Sequence, residues 1–151
     1  MIRQWRKFWS LQPTDRRLLA EAFVVLGMVR IGIRLLPWST IRRMMGYEVP
    51  PASSPGPTTP GERERADRVA WAVPAAARRF PVRMTCLVQA LAADTLLRRR
   101  GCHPLLRIGV SGGKTSPTIE AHAWVECGGR VVVGDVADLP RYAVLSSPSP
   151  R

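Results

Sequence analysis

The spacing of hydrophobic positions changes at Gly101. In residues 14–36, 62–80 and 85–100, apolar side chains recur at intervals of three and four, the period of a helix with an apolar face. Beyond Gly101 the apolar stretches are short and separated by turns that contain glycine, which is typical of β-strands. The pattern therefore predicts an α+β protein in which helices precede a small antiparallel sheet.

The first helical segment is long and unusually apolar. Thr14 is a good N-cap, Asp15 suits the first turn of a helix, and Pro37 ends the segment. The stretch Leu18–Leu36 is nearly long enough to span a membrane. It contains three charged side chains that are costly near a bilayer centre, namely Glu21, Arg30 and Arg34. We therefore expect a helix that is buried or lies at an interface.

Composition divides the chain into four parts. Residues 1–47 form a helical N-terminal region, with a short basic helix at Ser39–Met45, that acts as a scaffold or as a docking surface for a partner. Residues 48–61 contain five prolines and predict an extended linker. Residues 62–145 are the expected catalytic core, beginning with a helix from Glu62 that Pro74 kinks or divides. Residues 146–151 are a disordered tail.

The core is centred on the helix that follows Met84. Thr85 is its N-cap, Cys86 is its first residue, and Gly101 lies just beyond its end. Its apolar residues cover nearly the whole circumference, so the helix is expected to be central and buried.

A hairpin is predicted around Gly128-Gly129, a strong signal for a two-residue turn. It joins the strands Ala121–Cys127 and Arg130–Asp135. Regular pairing from that turn places His122 directly opposite Asp135, with Cβ atoms about 4.5–5.5 Å apart. That separation suits a hydrogen bond from the imidazole to the carboxylate. The same register pairs Trp124 with Val133 and Glu126 with Val131.

Cys86 is the candidate nucleophile. The helix dipole favours a thiolate at this position, and the free backbone N–H groups of the first turn can bind an oxyanion. Cys86, His122 and Asp135 would thus form a nucleophile, base and orienter for acyl transfer. Each residue also has a plain structural interpretation: a buried small thiol, a core histidine, and a polar residue at a strand end. Cys102 and Cys127 are weaker candidates, since the first follows a glycine that ends a helix and the second adjoins a turn.

Charge and cysteine content narrow the choice of function. The net charge of +12, from 23 basic and 11 acidic residues, would attract an acidic protein, nucleic acid or an anionic membrane. All but two of the basic residues are arginines, a bias that GC-rich coding also produces. Three cysteines without a C-x-x-C pair exclude a disulfide framework and favour a reducing, cytoplasmic location.

Neither a cofactor nor a metal ion is expected from the sequence. There is no phosphate-binding loop of the P-loop type. A zinc site formed by Cys86, Cys102, His103 and His122 would lack any recognised ligand spacing.

Four segments closely resemble one enzyme family: C-L-V-Q-A-L-A-A-D-T-L-L-R-R-R-G at Cys86–Gly101, L-R-I-G-V at Leu106–Val110, A-H-A-W-V-E at Ala121–Glu126, and G-D at Gly134-Asp135. The family is the stand-alone leader peptidase of lasso-peptide biosynthesis, within the transglutaminase-like cysteine protease superfamily. The chain departs from it mainly in the proline-rich segment 48–61.

The resemblance implies a Cys–His–Asp peptidase that removes the leader from a ribosomally made precursor peptide. Cys86 would be the nucleophile, His122 the base and acid, and Asp135 the orienter. The implied partners are the precursor, a separate leader-recognition protein and a lasso cyclase. We expect no nucleic acid as a partner, and the segment Leu18–Leu36 leaves open a peripheral contact with a membrane. A threonine at the penultimate leader position is the family's usual cleavage determinant.

Two alternatives remain at this stage. The same triad with an amine acceptor would be a transglutaminase-like acyl transferase. A basic binding protein without catalytic activity would use the helices on a membrane or on nucleic acid, and would be indifferent to Cys86→Ala.

Overall fold

A computed structural model describes residues 12–35, 37, 59–112 and 119–144. Within these residues, three α-helices pack on an antiparallel sheet of four strands in the order β3-β2-β1-β4, which confirms the α+β class. The elements are α1 (Pro13–Leu35), α2 (Pro60–Ala77), α3 (Cys86–Arg99), β1 (Leu105–Ser111), β2 (Glu120–Cys127), β3 (Arg130–Val133), a short 3-10 helix (Leu139–Arg141) and β4 (Ala143–Val144).

Both leading helices begin earlier than the sequence predicts. Helix α1 starts at Pro13, and the Gln12 carbonyl accepts the first backbone hydrogen bonds, so Thr14 is inside the helix and does not cap it. Helix α2 starts at Pro60, with Thr59 as its N-cap. Proline suits both starts, because the first turn of a helix needs no N–H donor. Ser39–Met45, residues 48–58 and the 146–151 tail lie outside the described residues.

Helix α3 is the centre of the molecule, as predicted. Thr85 caps it by accepting a hydrogen bond from the Val88 N–H at 3.4 Å. Helices α1 and α2, together with the sheet, surround it, so its side chains are buried on nearly every side. Its buried residues are Val88, Ala90, Leu91, Ala92, Ala93, Asp94, Leu96 and Leu97.

Helix α1 packs into the same core along one face. Its buried residues are Leu18, Leu19, Ala22, Val25 and Leu26. The opposite face carries apolar side chains that are more than half exposed, namely Val24, Met28, Ile31 and Leu35. No helix in the described ranges has both the length and the hydropathy needed to cross a membrane.

Ion pairs hold the C-terminal end of α3. Asp94 is only 1% exposed, and Arg98 binds both of its oxygens, at 2.9 and 3.1 Å. Arg99 and Arg100 both pair with Glu21 of α1. Burial raises the pKa of Asp94, and the bonds from Arg98 only partly offset that effect.

The hairpin between β2 and β3 forms at the predicted turn, but its register changes along the ladder. Gly128 and Gly129 both have positive φ, as a tight hairpin turn requires, and the Glu126–Val131 pairing is confirmed. A β-bulge then adds one residue to β3, so Val133 pairs with Val125 and the expected pairing with Trp124 is wrong.

Candidate active site

Cys86 is placed at the start of α3, as the sequence predicts. Its side chain is half-buried against the core. The Thr85 side chain accepts from the Val88 N–H, and the Thr85 carbonyl accepts from the Gln89 N–H at 3.1 Å. Neither bond uses the N–H groups of Cys86 and Leu87. A carbonyl oxygen at this helix end would thus meet backbone donors beside the thiol.

Helix α3 packs on strand β2, and the two elements come close near their C-terminal ends. Just beyond the C-terminal end of α3, the Cys102 sulfur lies within 4.8 Å of the Cys127 sulfur at the end of β2. Helix α3 also contacts β2 more than any other strand. Measured back from this meeting point, Cys86 is about 20 Å away along the helix, and His122 is about 17 Å away along the strand. Cys86 and His122 therefore both lie in the N-terminal parts of their elements, away from this contact.

His122 lies on the face of β2 that points away from α3. Ala123 and Val125 point into the core that contains α3. Successive residues of a strand alternate between faces, so His122 and Trp124 lie on the other face. Between described residues there is no hydrogen bond from His122 to either Cys86 or Asp135. In the part of the chain that the structure describes, the three predicted site residues are thus not joined by hydrogen bonds.

His122 has a different hydrogen-bond partner. Its Nε2 lies 2.7 Å from the carbonyl oxygen of Gly134. A carbonyl only accepts, so Nε2 carries the proton. In the neutral ring Nδ1 is then the free acceptor, which is the atom that could take a proton from a thiol. Gly134 therefore fixes the tautomer, the role expected of Asp135.

Two aromatic rings hold the imidazole on its face of the sheet. The Trp124 ring lies nearly parallel to it, with centroids 6.2 Å apart, and the Tyr142 ring is tilted at 5.4 Å. Gly109 lies opposite His122 on β1, and a Cβ there would be 2.8 Å from the Tyr142 Cβ. Burial and then the Glu120 carboxylate raise the pKa of the Tyr142 phenol, which stays neutral at neutral pH.

Asp135 is not opposite His122, so that part of the predicted geometry is wrong. Strand β3 ends at Val133, and the bulge moves the later residues out of the expected register. Gly134 has a φ of +86°, and a Cβ on it would lie 2.7 Å from the Ala123 carbonyl oxygen. The chain thus turns sharply just before Asp135, whose side chain is exposed. Asp135 is thus the next residue along the chain after Gly134, whose carbonyl oxygen is hydrogen-bonded to His122.

The other two cysteines have a contrasting environment. Cys102 and Cys127 are 3% and 5% exposed. Burial, followed by the neighbouring Cys102 and Glu62, raises the pKa of the Cys127 thiol to about 11. A thiol that stays protonated is a poor nucleophile. The prediction that Cys127 is a weaker candidate than Cys86 agrees with this environment.

A surface groove borders the start of α3. It is lined in part by Phe80, Val82, Arg83, Met84 and Gln89. The Gln89 side-chain amide donates to the Met84 carbonyl at 3.1 Å and so fixes the backbone two residues before Cys86.

The fold and this site define an α+β protein in which a half-buried cysteine begins the central helix and a histidine lies on the adjoining strand. The family model of the Transglutaminase-like superfamily matches residues 23–147, and the chain therefore belongs to that superfamily. Membership is consistent with cysteine peptidase or acyltransferase activity. No curated protein and no solved structure matches the chain.

Proposed function

We propose that this protein is a cysteine peptidase that removes the leader from a ribosomally made precursor peptide during lasso-peptide maturation. The observation that carries the proposal is the position of Cys86, half-buried at the N-terminal end of a central helix in a transglutaminase-like chain. The leader-peptidase role rests on the resemblance of the motifs around Cys86, His122 and Asp135.

The proposed reaction starts with proton transfer from the Cys86 thiol to Nδ1 of His122. These groups are not hydrogen-bonded in the structure, so the proposal requires that they meet in the complex with substrate, where catalytic hydrogen bonds often tighten. The thiolate attacks the carbonyl carbon that ends the leader, and the backbone N–H groups of Cys86 and Leu87 bind the oxyanion.

The second half of the reaction releases both products. The His122 imidazolium gives its proton to the amine of the core peptide as the C–N bond breaks, leaving the leader as a thioester on Cys86. Water, deprotonated by His122, then hydrolyses the thioester and frees the leader acid. The Gly134 carbonyl accepts the hydrogen bond from Nε2 throughout. In this proposal the carboxylate of the next residue, Asp135, stabilises the imidazolium by charge.

The proposed partners are the precursor peptide, a separate leader-recognition protein and a lasso cyclase. The groove that Met84 and Gln89 line near the start of α3 supports an extended peptide as the substrate, because it offers apolar and arginine side chains. The location proposed for the reaction is the cytoplasm.

The test is mass spectrometry of a synthetic precursor peptide, with threonine at the penultimate leader position, incubated with this protein and the recognition protein. We expect wild type and His103→Gln to cut at the leader–core junction. Cys86→Ala and His122→Gln should lose at least about a thousandfold in rate. His103 is the matched control because it is an exposed loop histidine. Cleavage by Cys86→Ala at the wild-type rate would falsify the assignment.

The same experiment separates the alternative reaction. A transglutaminase-like acyl transferase would join the leader carbonyl to an amine, so the product would carry an added amine mass and no free leader acid would accumulate. The family match supports both reactions, and the acceptor decides between them.

A further inference from the structure

We propose that Glu62, Cys102 and Cys127 form a binding site for a thiophilic divalent cation such as Zn²⁺. One carboxylate oxygen and the two sulfurs all lie within 4.8 Å of one another. In a tetrahedral zinc site such ligand atoms are about 3.5–3.8 Å apart, as follows from zinc–sulfur and zinc–oxygen bonds of about 2.3 and 2.1 Å. Small side-chain movements would therefore bring all three onto one ion.

The three ligands come from separate elements, and backbone contacts already position them. Glu62 is in the first turn of α2, Cys102 follows α3, and Cys127 ends β2. The Cys102 N–H donates to the Leu97 carbonyl at 3.0 Å. The His103 N–H donates to Glu62 Oε1 at 3.3 Å, which keeps that carboxylate beside the cysteines. An ion would therefore bind side chains that are already in position, and binding would require little further ordering of the chain.

The donor set determines the kind of ion. Two sulfurs and one carboxylate favour zinc and related soft or borderline metals over magnesium and calcium, which prefer oxygen alone. The sulfurs are nearly fully buried, while Glu62 is half-buried and leaves a route from solvent. A water molecule would take the fourth position. Each thiol would release its proton to solvent as its sulfur–metal bond forms, with no change in oxidation state.

This site lies at the opposite end of α3 from Cys86, so the ion would have a structural role. It would fasten the start of α2 to the end of α3 and to the β2–β3 hairpin. An ion pair between Arg130 of β3 and Asp67 of α2 joins two of these elements nearby. The inference does not depend on the reaction proposed for Cys86.

The experiment is a titration of the reduced full-length protein with Co²⁺ as a spectroscopic probe, followed by displacement with Zn²⁺. We expect one equivalent of Co²⁺, a sulfur-to-cobalt charge-transfer band, and a higher Tm with Zn²⁺. Cys102→Ser and Cys127→Ser should each lose the band, and Glu62→Gln should weaken binding at least tenfold. Cys86→Ala is the matched control and should bind as wild type does.

Two results would overturn the proposal. One is a folded wild type with no sulfur-to-cobalt band at stoichiometric Co²⁺. The other is a band that Cys86→Ala removes and Cys127→Ser preserves. Glu62→Gln keeps the test decisive if a cysteine variant does not fold, because it leaves both thiols in place.

Discussion

The two ends of helix α3 carry cysteines in opposite environments. Cys86 begins the helix, is half-buried, and lies beside backbone N–H groups that the Thr85 cap does not use. Cys102 follows the C-terminal end, where it is buried against Cys127 and Glu62. At this end burial raises the pKa of the neighbouring Cys127 thiol to about 11. The comparison separates a partly accessible thiol at one end of the helix from a buried cysteine cluster at the other.

The largest expected effect is on stability at the C-terminal end. Arg98→Ala leaves the carboxylate of Asp94 buried and unpaired, which should lower the free energy of unfolding by about 3–5 kcal/mol. Arg99→Ala removes only an exposed ion pair with Glu21 and should cost about 1 kcal/mol or less. Urea unfolding measures both. Equal losses would show that Asp94 does not depend on Arg98.

In the candidate site, Gly134→Ala should disrupt the turn whose carbonyl accepts the hydrogen bond from His122. The new Cβ would meet the Ala123 carbonyl oxygen, and φ is positive, so we expect a loss of about 3 kcal/mol in unfolding free energy and a larger loss of activity. Gly129→Ala is the matched control, because φ is +75° there and no atom lies within 4 Å of the added Cβ. Its cost should be about 1 kcal/mol. If Gly134→Ala kept full activity, Gly134 would have no role in the proposed site.

Asp135→Asn should have a modest effect on the rate. Because the Gly134 carbonyl already fixes the His122 tautomer, the variant loses only the charge beside the imidazolium. We expect about a tenfold fall in kcat/KM, which corresponds to about 1.4 kcal/mol. Steady-state kinetics on the precursor peptide measures it. A fall as large as that of His122→Gln would mean that Asp135 itself holds the ring during catalysis.

The smallest expected effect is on the pH dependence of stability. The pKa of Asp94 is raised in the folded protein, so between its unfolded value of 3.8 and the folded value the native state holds more protons than the unfolded state. Unfolding free energy should therefore fall as pH rises through that window. Asp94→Asn lacks this titrating group. As pH rises, the unfolding free energy of the wild type should therefore fall relative to that of the variant. A constant difference from pH 4 to pH 7 would contradict the raised pKa.

Local signals predicted much of the fold. Three of these signals act over a few residues, and each corresponds to an element of the structure: the helical spacing of apolar residues, the Thr85 cap, and the Gly128-Gly129 turn. The α+β class follows from their order along the chain. Helices α1 and α2 start earlier than predicted, at Pro13 and Pro60. Proline fits the first turn of a helix because no N–H donor is needed there.

The details of the site depended on interactions that sequence spacing does not reveal. The bulge in β3 shifts the register after Glu126, and only the packing of the sheet determines where such an extra residue goes. Gly134 before Asp135 was visible in the sequence, but its role as a hydrogen-bond acceptor for His122 required the turn it makes. The cluster of Glu62, Cys102 and Cys127 joins residues from three distant segments, which no local pattern indicates.

The most direct test of the contrast between the two ends of α3 is the alkylation rate of each cysteine in the native, metal-free protein. Iodoacetamide is added, and peptide mass spectrometry follows Cys86, Cys102 and Cys127 separately over time. We predict that Cys86 reacts at least tenfold faster than either of the others, and that peptidase activity disappears in parallel with its modification. Faster alkylation of Cys102 or Cys127, or full activity after Cys86 is blocked, would contradict this account.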